Sequence, residues 1–296
     1  MKKTPLIRIG TLVPAGQAVS HIKQILPHGF ESFQLTCWPN WGGIDLKKLA
    51  GELKPILADS GAVVDSLGPF GNPLINEDTA KAFEQAIDAA EYFGATTVCG
   101  FAGRLTDKPI PESIPKFKEI FSPLAKRAAD KGIKIGFENC PMGGDWTRGD
   151  WNIAHNPMAW ELMFDALGNP DNVGLEWEPC HQMGQLIDPM AQLRQWGKKI
   201  VHVHGKDCSV YWDIIRSEGI GGGGKRHWFH HRTPGFGDSN WTDIISELLL
   251  AGYRGSIDIE GWHDNVYVGD LEMTGQVHGL NYLKRCRPDP VDNPAD

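Results

Sequence analysis

Short apolar runs alternate along this chain with longer segments in which Leu, Ile, Phe and Ala recur every three or four residues. The short runs end at Gly, Pro or a polar residue, as buried β-strands do, and the longer segments have the period of amphipathic helices. The pattern predicts eight strands, each followed by a helix. The predicted strands are residues 6–13, 30–37, 62–67, 96–101, 133–138, 173–178, 200–204 and 256–260.

Capping residues mark the ends of the predicted helices. Asp45 stands at a helix start, where its carboxylate can accept hydrogen bonds from free backbone N–H groups. Gly94 and Gly132 stand where helical periodicity stops, as expected for residues that adopt the left-handed conformation after a helix. The longest predicted helix spans residues 112–131, and the last one spans residues 271–287.

Strands that alternate with helices predict a parallel sheet of the α/β class, and eight such units fit a closed (β/α)8 TIM barrel. The chain length of 296 residues fits one domain of this kind. An open, doubly wound sheet is the alternative, but the segment after the first strand, residues 10–16, lacks the G-x-G-x-x-G turn expected there. We predict a catalytic domain at residues 1–287 and a flexible tail at residues 288–296.

An insertion at residues 208–239 follows the seventh predicted strand. It contains four consecutive glycines, Gly221 to Gly224, and no strand precedes them and no Lys-Ser/Thr pair follows them, so they are not a phosphate-binding loop. The insertion is predicted to be a flexible lid hinge, with an ordinary surface loop as the alternative.

Charge and composition narrow the classes of function. The net charge is −8 and no block of five Lys or Arg is present, which disfavours a nucleic-acid partner. No apolar run approaches the roughly 18 residues that a membrane span needs. The six cysteines show no CxxC spacing, and Arg8 interrupts the apolar N-terminal stretch, so we expect free thiols in a cytoplasmic protein without a signal peptide.

Polar residues with ligand atoms stand at the ends of the last four predicted strands: Glu138, Glu178, His204 and Glu260. The carboxyl ends of barrel strands meet at one mouth, where three ionised carboxylates would repel one another. A divalent cation offsets that repulsion. Oxygen ligands with one imidazole suit Mn²⁺, Mg²⁺ or Co²⁺, and Zn²⁺ is a further alternative. The competing interpretation is four polar groups at loop edges without a metal.

Period-two alternation places Glu176, His202 and Asp258 on the same barrel-facing side, one step deeper than the strand-end residues. Barrel interiors usually hold branched aliphatic side chains at such positions. We hypothesise that these three residues form a buried polar layer that orients the metal ligands from behind. The alternative is that Glu176, rather than Glu178, is the ligand.

Several segments after residue 130 carry a resemblance to a known family. They are Gly136-Phe-Glu-Asn139, Val173-Gly-Leu with Glu178 and His181, His202-Val-His-Gly-Lys-Asp207, Arg232-Thr-Pro-Gly-Phe-Gly237 with Trp241, and residues 252–260. Together they resemble the sugar-phosphate isomerase/epimerase superfamily of xylose isomerase-like TIM barrels. That superfamily includes ketose 3-epimerases, hydroxypyruvate isomerase, inosose dehydratase and endonuclease IV.

The resemblance implies roles for individual residues. Glu138, Glu178, His204 and Glu260 would be the metal ligands, with Mn²⁺ as the expected ion, and Glu138 and Glu260 would also be the acid/base pair. His181 and Arg232 would contact substrate hydroxyl groups. Glu178 departs from the family pattern, where aspartate is usual, so the metal or the substrate pocket must be displaced by about one methylene length.

The expected reaction is removal of a proton next to a carbonyl group, giving a sugar epimerase or isomerase that acts through an enediolate. Trp38 and Trp262, in predicted mouth loops, would stack on the substrate. The first alternative is the catalytic subunit of a C-glycoside deglycosidase, which eliminates the aglycone from a 3-oxo-glycoside together with a small β subunit. A non-catalytic sugar-binding barrel is the second.

The expected partners are a small sugar or an oxidised glycoside, and either a second copy of the chain or a small β subunit. Endonuclease IV needs additional His ligands at early strand ends and a basic DNA-binding face. The early strand ends here hold Cys37, Pro69 and Phe101, and the net charge is −8, so a nuclease is disfavoured.

Overall fold

A computed structural model describes residues 5–220 and 226–289. Eight parallel strands close into a barrel, which confirms the predicted (β/α)8 fold. Each barrel strand pairs with the barrel strands that come before and after it in the chain, and the first barrel strand pairs with the last. The barrel strands are β1 (Arg8–Pro14), β2 (Ser32–Cys37), β3 (Val63–Pro69), β4 (Thr97–Gly100), β5 (Lys134–Glu138), β6 (Val173–Trp177), β7 (Ile200–Gly205) and β10 (Ser256–Ile259).

Helices cover the outside of the barrel. Asp45 accepts a hydrogen bond from Lys48 N at the start of a helix, and Gly94 ends another with a φ of 73°. Within the described residues, no helix has both the length and the apolar character needed to cross a membrane. The helices are α1 (Ala18–Ile25), α2 (Leu46–Leu57), α3 (Glu77–Phe93), α4 (Ile110–Asp130), α5 (Pro157–Leu167), α6 (Pro179–Met183), α7 (Pro189–Trp196), α8 (Trp212–Glu218), α9 (Trp241–Leu250) and α10 (Glu272–Cys286).

The apolar core lies between the sheet and the helices. Phe83, Phe121 and Phe137 pack edge to face there, with ring centroids 4.8 to 5.3 Å apart. On β5, Phe137 points outward into this core, and the next residue, Glu138, is buried at the inner end of the strand. This alternation is what turns the strand-end acids toward the barrel mouth.

The insertion contains regular structure that the lid prediction did not include. β8 (Asp207–Val210) and β9 (Phe229–Arg232) form an antiparallel pair, and α8 lies between them. Asp207 anchors this hairpin to the barrel, because its carboxylate accepts hydrogen bonds from the backbone N–H groups of Cys208 and Ser239 and from Trp241 Nε1. The glycine run at Gly221–Gly224, predicted to be a hinge, lies outside the described residues.

The C-terminal end of α10 contacts the residues that directly precede β1 and β2. Arg287 donates to Ile7 O at 2.8 Å and pairs through two nitrogens with the carboxylate of Glu31, and Lys284 Nζ lies 3.2 Å from the same carboxylate. Glu31 also accepts a hydrogen bond from Ile9 N on β1. Of the predicted tail, residues 288 and 289 lie within the described part of the chain.

Candidate metal centre

Four strands carry the candidate ligands to one place at the mouth. Glu138 is the last residue of β5, Glu178 and Glu260 directly follow β6 and β10, and His204 lies near the end of β7. One ligand atom from each lies within 4.8 Å of the others, and all four side chains are buried. The structure therefore brings together the four residues that the sequence pattern singled out.

Several polar atoms of this group make no well-formed hydrogen bond within the described residues: both carboxylate oxygens of Glu178, Oε2 of Glu260 and Nδ1 of His204. Glu178 Oε1 does lie 2.7 Å from His181 Nε2, and Glu260 Oε2 lies 3.4 Å from His204 Nδ1. A buried polar atom without a partner is costly, and most such atoms in folded proteins are paired. Three carboxylates and one imidazole in a tetrad of this size are a donor set suited to a hard divalent cation. The residues therefore fit the ion that the family resemblance implies.

The three carboxyl groups differ in their electrostatic surroundings. Burial, together with Glu178 and Glu260, raises the pKa of Glu138 well above its ordinary value. Burial also opposes ionisation of Glu260, but Lys206, His204 and His263 outweigh it and hold its pKa well below the ordinary value. The pKa values of the two acids are thus shifted in opposite directions, as those of an acid/base pair are. A divalent cation bound among them would favour ionisation of Glu138 as well.

Lys206 belongs to this site, although the sequence reasoning did not assign it a role. Its side chain is buried, and Nζ lies 3.0 Å from Glu260 Oε1 and 3.4 Å from His181 Nε2. Burial disfavours the charged amine, but Glu178 and Glu260 outweigh it and raise the pKa of Lys206 well above its ordinary value. The sequence contained a signal for this residue, because Lys206 follows His202 and His204 at the same two-residue interval.

A connected polar layer lies beneath the tetrad, where the sequence hypothesis placed one. His202 donates through Nδ1 to Glu176 Oε1 at 2.9 Å and through Nε2 to Asp258 Oδ2 at 3.1 Å. These two carboxylates, with Asp65 nearby, outweigh burial and raise the pKa of His202 to about 10, so that its ring is an imidazolium. Ser32 donates to Asp258 from β2.

Gln34 links this layer to the tetrad. Its Nε2 donates to Glu176 Oε1 at 2.5 Å, and its Oε1 accepts from His204 Nε2 at 2.8 Å. Glu176 Oε1 therefore contacts Gln34, His202 and His204 (3.0 Å) and is occupied by protein donors. The tetrad contains Glu178 and not Glu176, which favours Glu178 as the ligand.

The four residues predicted to contact substrate have different surroundings. His181 lies in the site, with Nε2 2.7 Å from Glu178 Oε1. Trp262 is 39% exposed and packs beside His263, whose Nε2 is 2.8 Å from Glu260 Oε1. Trp38, directly after β2, is 51% exposed. Arg232, on β9, donates to Asp264 at 3.1 Å and lies over Phe236, so Asp264 holds its guanidinium in the described structure.

A separate groove of about 510 Å³ lies between α3 and α4. Its charged lining residues pair with one another, as Arg127 does with Glu84 at 2.7 Å. Among the described residues, this groove has no cluster of buried ligand atoms that lack well-formed hydrogen bonds, whereas the tetrad does. The barrel mouth is therefore the better candidate for the functional site.

The xylose isomerase-like TIM barrel family model matches residues 22–286. This chain belongs to that family. Among curated relatives, a 3-dehydroshikimate dehydratase from Pseudomonas aeruginosa is 25% identical over 165 residues, 54% of this chain and 22% of that protein. The chain spans about half the length of the other curated relatives it matches.

Solved structures of this family have the same fold. A xylose isomerase-like TIM barrel protein from Mycobacterium smegmatis, in complex with magnesium, has a TM-score of 0.71 and 18% identity, with coverage of 96% of this chain and 98% of that one. A 3-keto-D-glucoside 4-epimerase from E. coli has a TM-score of 0.66 and 15% identity, with coverage of 95% and 100%. Relatives and neighbours thus include sugar-modifying epimerases and a dehydratase.

Proposed function

We propose that this protein is a divalent-metal-dependent sugar epimerase or isomerase that removes a proton next to a carbonyl group. The observation that supports it most directly is the buried tetrad of Glu138, Glu178, His204 and Glu260, in which four polar atoms make no well-formed hydrogen bond within the described structure. A sugar substrate is consistent with the family and with the 4-epimerase among its structural neighbours.

Two glutamates would move the proton. Glu260, whose pKa is lowered beside Lys206, is suited to remove it, and Glu138, the other carboxyl group of the proposed pair in the same tetrad, would return one. Return on the opposite face of the same carbon gives an epimer, and return to the neighbouring carbon gives an isomer. A positioned acid or base of this kind is typically worth about 10²–10⁴-fold in rate.

A bound divalent cation, Mn²⁺ in our proposal with Mg²⁺, Co²⁺ or Zn²⁺ as alternatives, would supply Lewis-acid polarisation of the carbonyl group. Glu138, Glu178, His204 and Glu260 would hold it. His181, paired with Glu178, would orient that ligand and present its ring to a substrate hydroxyl.

Elimination is the second candidate reaction, and Lys206 favours it. Its ammonium lies 3.0 Å from Glu260 Oε1, so the site holds a buried positive charge that can offset the negative charge developing on a departing leaving group. The match to a dehydratase supports the same chemistry. The protein would then be the catalytic subunit of a C-glycoside deglycosidase, acting with a small β subunit rather than as a homo-oligomer.

Proton NMR in D₂O tests this proposal. The protein is incubated with ketoses and with 3-oxo-glucosides, with Mn²⁺ or with a chelator. We expect a C–H beside the carbonyl to exchange only with the metal present, and the product spectrum to separate epimer, isomer and released aglycone.

The test variants are Glu138→Gln and Glu260→Gln. The matched control is Glu77→Gln, because the side chain of Glu77 is 94% exposed. We expect exchange to fall by about 10²-fold or more in the first two and not in the third. Tight sugar binding without any exchange would indicate the sugar-binding barrel instead.

A further inference from the structure

An aromatic residue directly follows each of three consecutive barrel strands. Trp38 follows β2, Phe70 follows β3 and Phe101 follows β4. Their rings touch in sequence: Trp38 lies 5.9 Å from Phe101, and Phe101 lies 5.3 Å from Phe70, centroid to centroid. The loop after β5 adds Trp151, 5.2 Å from Trp38. These four residues are called the aromatic wall below.

The aromatic wall runs from the metal centre to the surface. At its inner end the ring of Phe70 lies 6.3 Å from the ring of His204. Phe70 and Phe101 are 8% and 4% exposed, whereas Trp38 and Trp151 are 51% and 38% exposed. Acids and imidazoles thus lie at the ends of β5 to β10, whereas three rings of the aromatic wall follow β2 to β4. Trp262, after β10, is a further exposed aromatic side chain outside the wall.

The surrounding backbone holds the aromatic wall in place before any ligand binds. Asn152, next to Trp151, donates to Glu138 O and Cys140 O at 2.8 Å each, and its Oδ1 accepts from Ala102 N at 3.0 Å. This one amide fixes the Trp151 loop to the end of β5 and to the residue after Phe101. Preorganised rings lose little conformational entropy when a ligand stacks on them.

We propose that the aromatic wall binds the planar, apolar aglycone of a glycoside whose oxidised sugar ring lies at the metal centre. The placement of the sugar rests on the function proposed above. A free ketose at the metal centre would leave the exposed indole rings of Trp38 and Trp151 uncovered by the ligand. An aryl group can stack on these rings. The substrate class is thereby narrowed from sugars to aryl glycosides.

The test compares phenyl and methyl 3-oxo-glucosides, by calorimetric binding and by C–H exchange in D₂O. We expect the phenyl compound to bind roughly tenfold more tightly, from stacking and apolar burial. Trp38→Ala and, separately, Trp151→Ala should weaken binding of the phenyl compound several-fold more than binding of the methyl compound. Trp212→Ala is the matched control, because Trp212 is also 51% exposed but lies on α8 of the insertion.

The possible failures can be told apart. Equal affinity for the two compounds in the unmodified protein, or an equal loss for both in Trp38→Ala and Trp151→Ala, would overturn the aromatic wall as an aglycone site. If both compounds exchange protons in that case, the proposed reaction still stands. If neither exchanges but the phenyl preference depends on Trp38 or Trp151 and not on Trp212, the wall is supported and the proposed reaction is wrong.

Discussion

At His202, one imidazole ring lies between two carboxylates in the interior of the barrel. It donates to Glu176 and Asp258, and its pKa is raised to about 10 because these acids outweigh the effect of burial. A buried charged group that loses its partner destabilises a protein strongly. The ring therefore offsets part of the negative charge of the layer and fixes Glu176, which contacts the ligand His204.

Replacing His202 with Leu should weaken Mn²⁺ binding by about 10- to 100-fold, because Glu176 would no longer be held against His204. It should also lower the free energy of unfolding by about 3–5 kcal/mol, since two buried carboxylates lose their cation. Calorimetric titration and urea unfolding measure the two effects. His28→Leu, at an exposed position, is the control, and undiminished metal affinity in His202→Leu would refute the orienting role.

The C-terminal helix α10 is held to the barrel by a small ionic cluster. The side chain of Glu31 is 23% exposed and receives two hydrogen bonds from Arg287. Burial opposes its ionisation, but Arg287, the backbone N–H of Ile9 and Lys284 outweigh burial and lower the pKa of Glu31 below its ordinary value. Ionised Glu31 therefore stabilises the folded state.

Glu31→Gln should lower the free energy of unfolding by about 1–2 kcal/mol at pH 7, after allowance for solvent screening. Because the folded-state pKa is the lower one, this stabilisation is complete above about pH 5 and is lost as the pH falls through the folded-state pKa. The difference from the unmodified protein should therefore shrink toward pH 3 in urea unfolding. Glu52→Gln, in an exposed pair 3.9 Å from Lys48, should have almost no effect at either pH.

The carboxylate of Asp207 lies at the base of the β8–β9 hairpin. Asp207→Ala removes the acceptor for three N–H groups, those of Cys208, Ser239 and Trp241. Unpaired buried donors cost about 1–3 kcal/mol each, so we expect faster proteolysis within residues 208–239 and a loss of about 2–4 kcal/mol in stability. Asp213→Ala, in the first turn of α8, should leave both unchanged. Equal protease resistance in the two variants would contradict the anchoring role.

On the scale of the whole molecule, the metal centre joins four strands that are far apart in sequence. An ion bound only by the folded state stabilises it by mass action, by about 2.7 kcal/mol at a hundredfold excess over Kd. Added Mn²⁺ should raise the melting temperature by several degrees and a chelator should reverse the change. Glu178→Gln should abolish the shift. The same shift in the unmodified protein and in Glu178→Gln would place the ion elsewhere.

The sequence by itself determined the barrel and most of the tetrad. Strand and helix periods are local, and eight parallel strands bring their carboxyl ends to one mouth whatever the packing details. Glu138, Glu178, His204 and Glu260 could therefore be chosen before their distances were known. The layer of Glu176, His202 and Asp258 followed from the two-residue period of a strand for the same reason.

Only the tertiary structure decided which side chains meet across the barrel. Gln34 reaches Glu176 across 142 positions of sequence, and Ser32 reaches Asp258 across 226. These contacts depend on barrel closure and strand register, which no local period encodes. The same holds for Arg232, which Asp264 holds, and for the aromatic wall, where Trp151 arrives from an irregular loop. Periodicity fixes which way a side chain points, and three-dimensional closure fixes what it meets.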